Sequence, residues 1–152
     1  MTDEISIKNL LPVLTSNKIS GKHRDILNTT FVGIDFGTST TVVSVAVLGK
    51  ENEPIIVKPI ELNQKLIDGA IFSSYKIPTV IAWHQNTLLV GEGASQLKFK
   101  LRYGKNLWHS FKMELGEDVG CKYPNSELGK NHEKHTILNP VDAAKVFFKY
   151  LK

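Results

Sequence analysis

Residues 31–47 read FVGIDFGTSTTVVSVAV, and the fold turns on this stretch. An apolar run, Phe31 to Ile34, reaches one acid, Asp35; a polar turn follows, Gly37-Thr38-Ser39-Thr40; a second apolar run, Thr41 to Leu48, leads away. Two runs rich in Val and Ile around a Gly-containing turn predict a β-hairpin. Both runs are almost continuously apolar, so burial on both faces is expected, with Val32, Ile34, Val43 and Val45 inside.

The tip of such a hairpin has a chemical use. Gly37 lets the backbone approach a ligand closely. Successive turn N–H groups can converge into a nest that holds an anion, and the hydroxyls of Thr38, Ser39 and Thr40 add donors. Asp35 suits Mg²⁺, which takes one or two carboxylates alongside waters and substrate phosphates. These parts match a nucleoside triphosphate with its metal. An ordinary hairpin with a polar tip fits the same pattern. The turn is not a Walker A loop, because no Gly-Lys-[Ser/Thr] ending follows the glycine. Nor is it a dinucleotide fingerprint, because a strand rather than a helix comes next.

Gly33-Ile34-Asp35-Phe36-Gly37-Thr38-Ser39-Thr40 resembles the first phosphate motif of the seventy-kilodalton heat-shock (DnaK-like) chaperones, members of the actin, sugar-kinase and chaperone ATPase superfamily. Later segments follow the same family in order. Pro78, Val80, Val90, Gly91, Glu92 and Ala94 stand where the family has a Pro-Ser-Val-Val strand, a turn and a Val-Gly-Glu-x-Ala helix start. Ser110-Phe111-Lys112-Met113-Glu114-Leu115-Gly116 resembles its Ser-x-Lys-Arg-x-x-Gly segment, with Met113 in place of the usual arginine. In the family that lysine points into the nucleotide cleft, so the resemblance makes Lys112 a catalytic candidate beside Asp35. Read without the family, Lys112 is one surface lysine among several.

Composition sets bounds around this core. The 152 residues are one domain's worth of chain, 41% hydrophobic and 22% charged, as in globular proteins. A net charge of +4 does not by itself imply nucleic acid. Cys121, the one cysteine, excludes an intrachain disulfide and fits a reducing compartment. Asp3, Glu4 and Lys8 among the first apolar residues argue against a signal peptide, and no apolar run approaches the ~20 residues of a membrane span. The expectation is a cytoplasmic protein with neither nucleic-acid nor membrane partner.

Residues 1–30 form an extension that the family lacks; it packs outside the domain or stays mobile. Ile55, Ile56 and Val57 suggest a third strand ending at Pro59. Residues 63–76 read as loop with a short helical piece. Lys76 to Trp83 reads as a strand, His84-Gln85-Asn86 as a turn and Leu88-Leu89-Val90 as its return. Residues 95–116 interleave lysines with Phe99, Tyr103, Trp108 and Phe111. A nucleic-acid surface would use such a pattern; an amphipathic helix with inward aromatics and solvated lysines is the reading taken. Residues 117–138 are loop-like. His109, Cys121, His132 and His135 have no standard zinc spacing. Asn139-Pro140-Val141-Asp142 starts a helix, with Asn as N-cap and Pro at the first position. Val141, Ala144, Phe147, Phe148 and Leu151 give it an apolar face.

The expected fold is α/β: a three-stranded, largely buried mixed sheet, a second hairpin region and a closing helix. The resemblance makes residues 31–152 the incomplete first lobe of an actin-like (ribonuclease H-like) ATPase domain. It implies ATP and Mg²⁺ as cofactors, with Asp35 holding the metal, Gly37, Thr38, Ser39 and Thr40 cradling phosphates, and Lys112 acting in hydrolysis. Client proteins, co-chaperones and the missing second lobe are the implied partners. The sequence contains no second Asp-x-Gly-Gly-Gly-Thr hairpin and no adenosine-binding Gly-Gly segment, so the chain alone is expected to be inactive, a trimmed or truncated ATPase. A sugar-kinase or actin-like branch is one alternative; a non-hydrolysing interaction module is another.

Overall fold

The computed structural model describes residues 30–47, 56–116, 120–130, 132 and 134–152. The expectations for residues 1–29 lie outside these. The described chain is mixed α and β. Its strands are β1 (Thr30–Phe36), β2 (Thr40–Val47), β3 (Ile56–Pro59), β4 (Leu62–Lys65), β5 (Ile71–Ser74), β6 (Ile77–Pro78), β7 (Val80–His84), β8 (Thr87–Val90) and β9 (Leu107–His109). The helices are α1 (Glu92–Ser95) and α2 (Pro140–Leu151), and a 3-10 turn covers Phe111–Glu114. Contacts divide the chain into two compact units.

The smaller unit comprises, among described residues, 30–33, 44–47 and 56–59. Its strand order is β1-β2-β3, with β3 antiparallel to β2 in the register Ser44↔Pro59 to Val47↔Ile56. Val32 is 63% exposed, and the whole of β3 is exposed too. The expectation of a largely buried sheet therefore fails here. β1 and β3 close the two ends of the strand order, and an unbroken apolar run on an end strand does not imply cover on both faces.

The larger unit, residues 34–43 and 60–152, carries the core. In it β6 pairs antiparallel with β2 (Thr40↔Pro78, Thr41↔Ile77). After Thr79 the chain leaves that pairing and continues as β7, the middle strand of an antiparallel sheet ordered β8-β7-β9. β7 is buried on both faces, and its side chains alternate between two clusters. Ile81 joins Val43, Ile77, Trp108, Phe111, Ile137 and Phe147, while Val80 and Ala82 join Leu89, Ala94, Leu97 and Leu107. Val43 is buried as expected and Val45 is partly so, but Ile34 is 43% exposed.

Three further expectations are corrected. Residues 63–76 contain no helix; β4 and β5 form an antiparallel hairpin there, Leu62↔Ser74 to Lys65↔Ile71. Residues 95–116 are not one amphipathic helix. After α1 they run through turns, then β9, then the 3-10 turn. Trp108 and Phe111 do face inward, but Phe99 is fully exposed. The α2 helix starts where predicted, with Asn139 Oδ1 accepting the Asp142 N–H at 2.9 Å. It buries Ala143, Ala144, Val146 and Phe147, whereas Val141 and Phe148 are exposed. The pairings of β2 with β3 and β6, of β4 with β5, and of β7 with β8 and β9 are antiparallel; an isolated parallel bridge joins Tyr103 and Leu107.

Candidate phosphate-binding site

The turn between β1 and β2 is held from beneath by Thr79, which is fully buried. Its hydroxyl donates to the Gly37 carbonyl at 2.9 Å, and its backbone N–H donates to the Ser39 carbonyl at 2.9 Å. Thr41 Oγ1, also buried, lies 2.9 Å from Thr79 Oγ1. A hydroxyl has one hydrogen, and that of Thr79 goes to Gly37, so Thr41 is the donor in this pair. Thr79 thus makes three hydrogen bonds around the base of the turn. Sequence reading missed it. Its only signal is one hydroxyl inside the apolar run Ile77 to Trp83.

Gly37 is required by the turn itself. A Cβ there would sit 2.2 Å from the Thr40 carbonyl oxygen, with the Thr40 carbonyl carbon at 3.3 Å. The close approach that glycine permits is therefore intramolecular, whatever else binds. Asp35, Ser39 and Thr40 are exposed, and Thr38 is partly buried, with Oγ1 3.5 Å from Met113 Sδ.

Lys112 reaches this turn from 76 residues away: its Nζ donates to the Phe36 carbonyl. The ammonium also lies 5.7 Å from the centre of the Phe36 ring, within cation–π range. Two features bring it there. β9 pairs with β7 up to Val80↔His109, so the chain leaves that sheet next to Thr79 and enters the 3-10 turn. Below, Phe36 packs on Phe148, Phe147 and Phe111 with ring centres 4.9, 5.9 and 6.1 Å apart. This aromatic cluster fixes β1's end, the 3-10 turn and α2 to one another. Ser110, which opens the 3-10 turn, has φ 56°, a left-handed conformation uncommon for a residue with a side chain.

All six residues singled out from the sequence therefore fall in one neighbourhood. Lys112 touches Phe36 between Asp35 and Gly37, and its neighbour Met113 touches Thr38. No protein-family model, curated protein or solved structure matches the chain. Among the described residues no three His, Cys, Asp or Glu side chains gather as a metal cage. The donor set of one exposed carboxylate, three hydroxyls and one ammonium fits Mg²⁺ only in company with phosphate oxygens and water, which is how that ion is usually held.

No helix among the described residues is long and apolar enough to cross a membrane. His135 and His109 are both held below the ordinary histidine range. Burial is the main cause for each, with Lys149, His132 and Lys134 adding repulsion at His135, and Lys98 at His109. Trp83 meets the His132 ring edge-on at 4.8 Å, and His132 stacks near His135 at 6.1 Å.

Proposed function

We propose that the chain is the N-terminal part of a DnaK-like chaperone ATPase, and that the turn at 35–40 with Lys112 is one side of its nucleotide-phosphate site. One observation carries this reading. Lys112 and the Asp35–Thr40 turn, matched separately to two motifs of that family, meet in space through the Lys112 bond to Phe36. The turn would cradle phosphate oxygens with Thr38, Ser39 and Thr40. Asp35 would hold Mg²⁺ through water. Lys112 would exchange the Phe36 carbonyl for a phosphate oxygen or the attacking water; an ammonium is a compact point charge with three donors, suited to either.

Phosphoryl transfer is positioning plus electrostatic stabilisation by groups on both sides of the phosphate chain. The described residues supply one side. The reading therefore predicts weak Mg·ATP binding by this polypeptide, and client-coupled hydrolysis only with a second clamp in place. The test is a titration of the isotope-labelled chain with Mg·ATP, followed residue by residue in NMR spectra. Shifts concentrated at residues 35–40 and 110–113, weakened by Asp35→Ala, support the site. Shifts elsewhere, or none at millimolar nucleotide, overturn it.

A further inference from the structure

A cleft of about 560 Å³ opens between residues 102–105 on one wall and 122–125 on the other, all within the larger unit. That volume falls in the ~300–1,000 Å³ range of small-molecule sites. Its lining includes three cations, Arg102, Lys105 and Lys122, and no carboxylate. The acids that partner two of them lie outside the lining: Glu127 is 3.5 Å from Lys105, and Glu114 is 2.7 Å from Lys122. Among the lining residues themselves the charge is therefore positive. The Lys105–Glu127 pair is exposed on both sides, and such pairs are weak, so an incoming anion competes with it at little cost.

The walls are built rather than accidental. Gly104 has φ +73°, and a Cβ there would come within 3.2 Å of the Tyr123 ring. Glycine lets the 102–106 turn close onto that buried ring. Glu127 N–H donates to the Lys105 carbonyl at 2.8 Å, tying the two walls together. Tyr103 and Tyr123 meet edge to face at 5.9 Å. Their hydroxyls are 3.4 Å apart, and Tyr123 Oη is 3.4 Å from Glu114 Oε2. A good O–H···O bond is 2.5–3.0 Å, so these hydroxyls are only loosely engaged, and each can redirect its one hydrogen to an incoming anion. Burial pushes the Tyr123 phenol well above its ordinary range, so it stays a neutral donor.

We infer that this cleft binds a small polyanion through phosphate or carboxylate groups, at a site separate from the 35–40 turn. Arg102 would supply the planar fork that matches either group in bidentate fashion. Lys105 and Lys122 would add point charges, and Tyr103 and Tyr123 neutral donors.

The test titrates the folded chain with inorganic pyrophosphate in one arm and citrate in the other, by calorimetry and NMR at fixed ionic strength. The expectation is saturable binding in at least one arm, with shifts centred on residues 102–105 and 122–125. The arm that binds more tightly tells phosphate from carboxylate. R102Q/K105Q should weaken binding about tenfold or more, since charge-assisted hydrogen bonds are the strong ones. K98Q/K100Q removes the same charge outside the lining and should change it less than about twofold. Absence of saturation in both arms at ~10 mM would overturn the inference. So would equal weakening by the two double variants, which would mean diffuse attraction, or shifts confined to residues 35–40. The shift pattern needs no variant, so the question stays answerable if R102Q/K105Q unfolds.

Discussion

Thr79 holds more of the turn than any residue the motif itself names. Replacing it by valine keeps the shape but strips the donor from the Gly37 carbonyl and the acceptor from Thr41. An orphaned buried polar group costs ~1–3 kcal/mol, so Thr79→Val should lower stability by about that much, while Thr79→Ser largely restores it. Urea unfolding midpoints at unchanged slope would show this; equal stability of Thr79→Val and Thr79→Ser would remove Thr79 from the role. Lys112 is different in kind. It is exposed and bonded to a carbonyl, so Lys112→Ala should leave stability near that of the parent. Its effect belongs to chemistry. With a second clamp supplied, loss of one transition-state donor costs ~10²–10³ in rate, while ATP binding changes little. Lys145→Ala, on the exposed face of α2, serves as the control. Small, equal effects from both lysines would return Lys112 to the solvated surface.

At the scale of elements, legibility followed from whether a residue's signal was local. The Asn139 cap, the β7–β8 hairpin and β3 were readable because turn chemistry, capping and β-branched runs act within a few residues. The β4–β5 hairpin was not, since Leu62 to Ser74 alternate weakly and the hairpin is held by distant groups. Gln64 is fully buried, donating to the Lys76 carbonyl at 3.2 Å and accepting the Glu92 N–H at 2.8 Å. Close packing on Gln64 and on the Lys65 backbone explains the glycines before and within α1. A Cβ on Gly91 would lie 2.3 Å from Gln64 Oε1, and one on Gly93 would lie 2.1 Å from the Lys65 carbonyl oxygen. The Val-Gly-Glu-Gly stretch is therefore a packing surface for β4. At Gly93 the obstacle is backbone, which cannot swing aside, so Gly93→Ala should cost at least the ~1–3 kcal/mol of an overpacked core. Asn139→Ala, which removes one cap, should cost ~0.5–2 kcal/mol. Thermal melts of the two variants side by side would check the ranking, and a Gly93→Ala protein as stable as the parent would refute the β4–α1 packing.

Over the whole molecule, the candidate site was more legible than the sheet that carries it. Asp35, the hydroxyl turn and Lys112 are marked by residue type, whereas burial of β1 was inferred from apolarity that turned out to face solvent at Val32 and Ile34. What joins the site is long-range and silent in the sequence: the Phe36, Phe111, Phe147 and Phe148 cluster and the passage of the chain through Thr79 from one sheet to the next. Global stability should depend on pH through the two depressed histidines. Their folded-state pKa values lie below the ordinary histidine value of 6.5, so between those values and 6.5 the unfolded chain binds more protons. Stability then rises with pH through this window and is lost as pH falls. The midpoint of thermal unfolding should drop on acidification below about pH 6.5, and His109→Gln with His135→Gln should flatten that part of the curve. An unchanged slope in the double variant would assign the loss to carboxylates instead. The last expectation concerns turnover. Phosphoryl transfer needs charge stabilised on both sides of the phosphate and water held in line, and the turn with Lys112 offers one side. The polypeptide should therefore hydrolyse ATP no faster than a buffer blank, even where NMR shows Mg·ATP at residues 35–40. Activity that follows the chain through purification and disappears in Asp35→Ala would show that the site is completed some other way, as by a second copy of the chain. Its rate would then rise with the square of protein concentration at high dilution, a dependence that a complete single-chain site would not have.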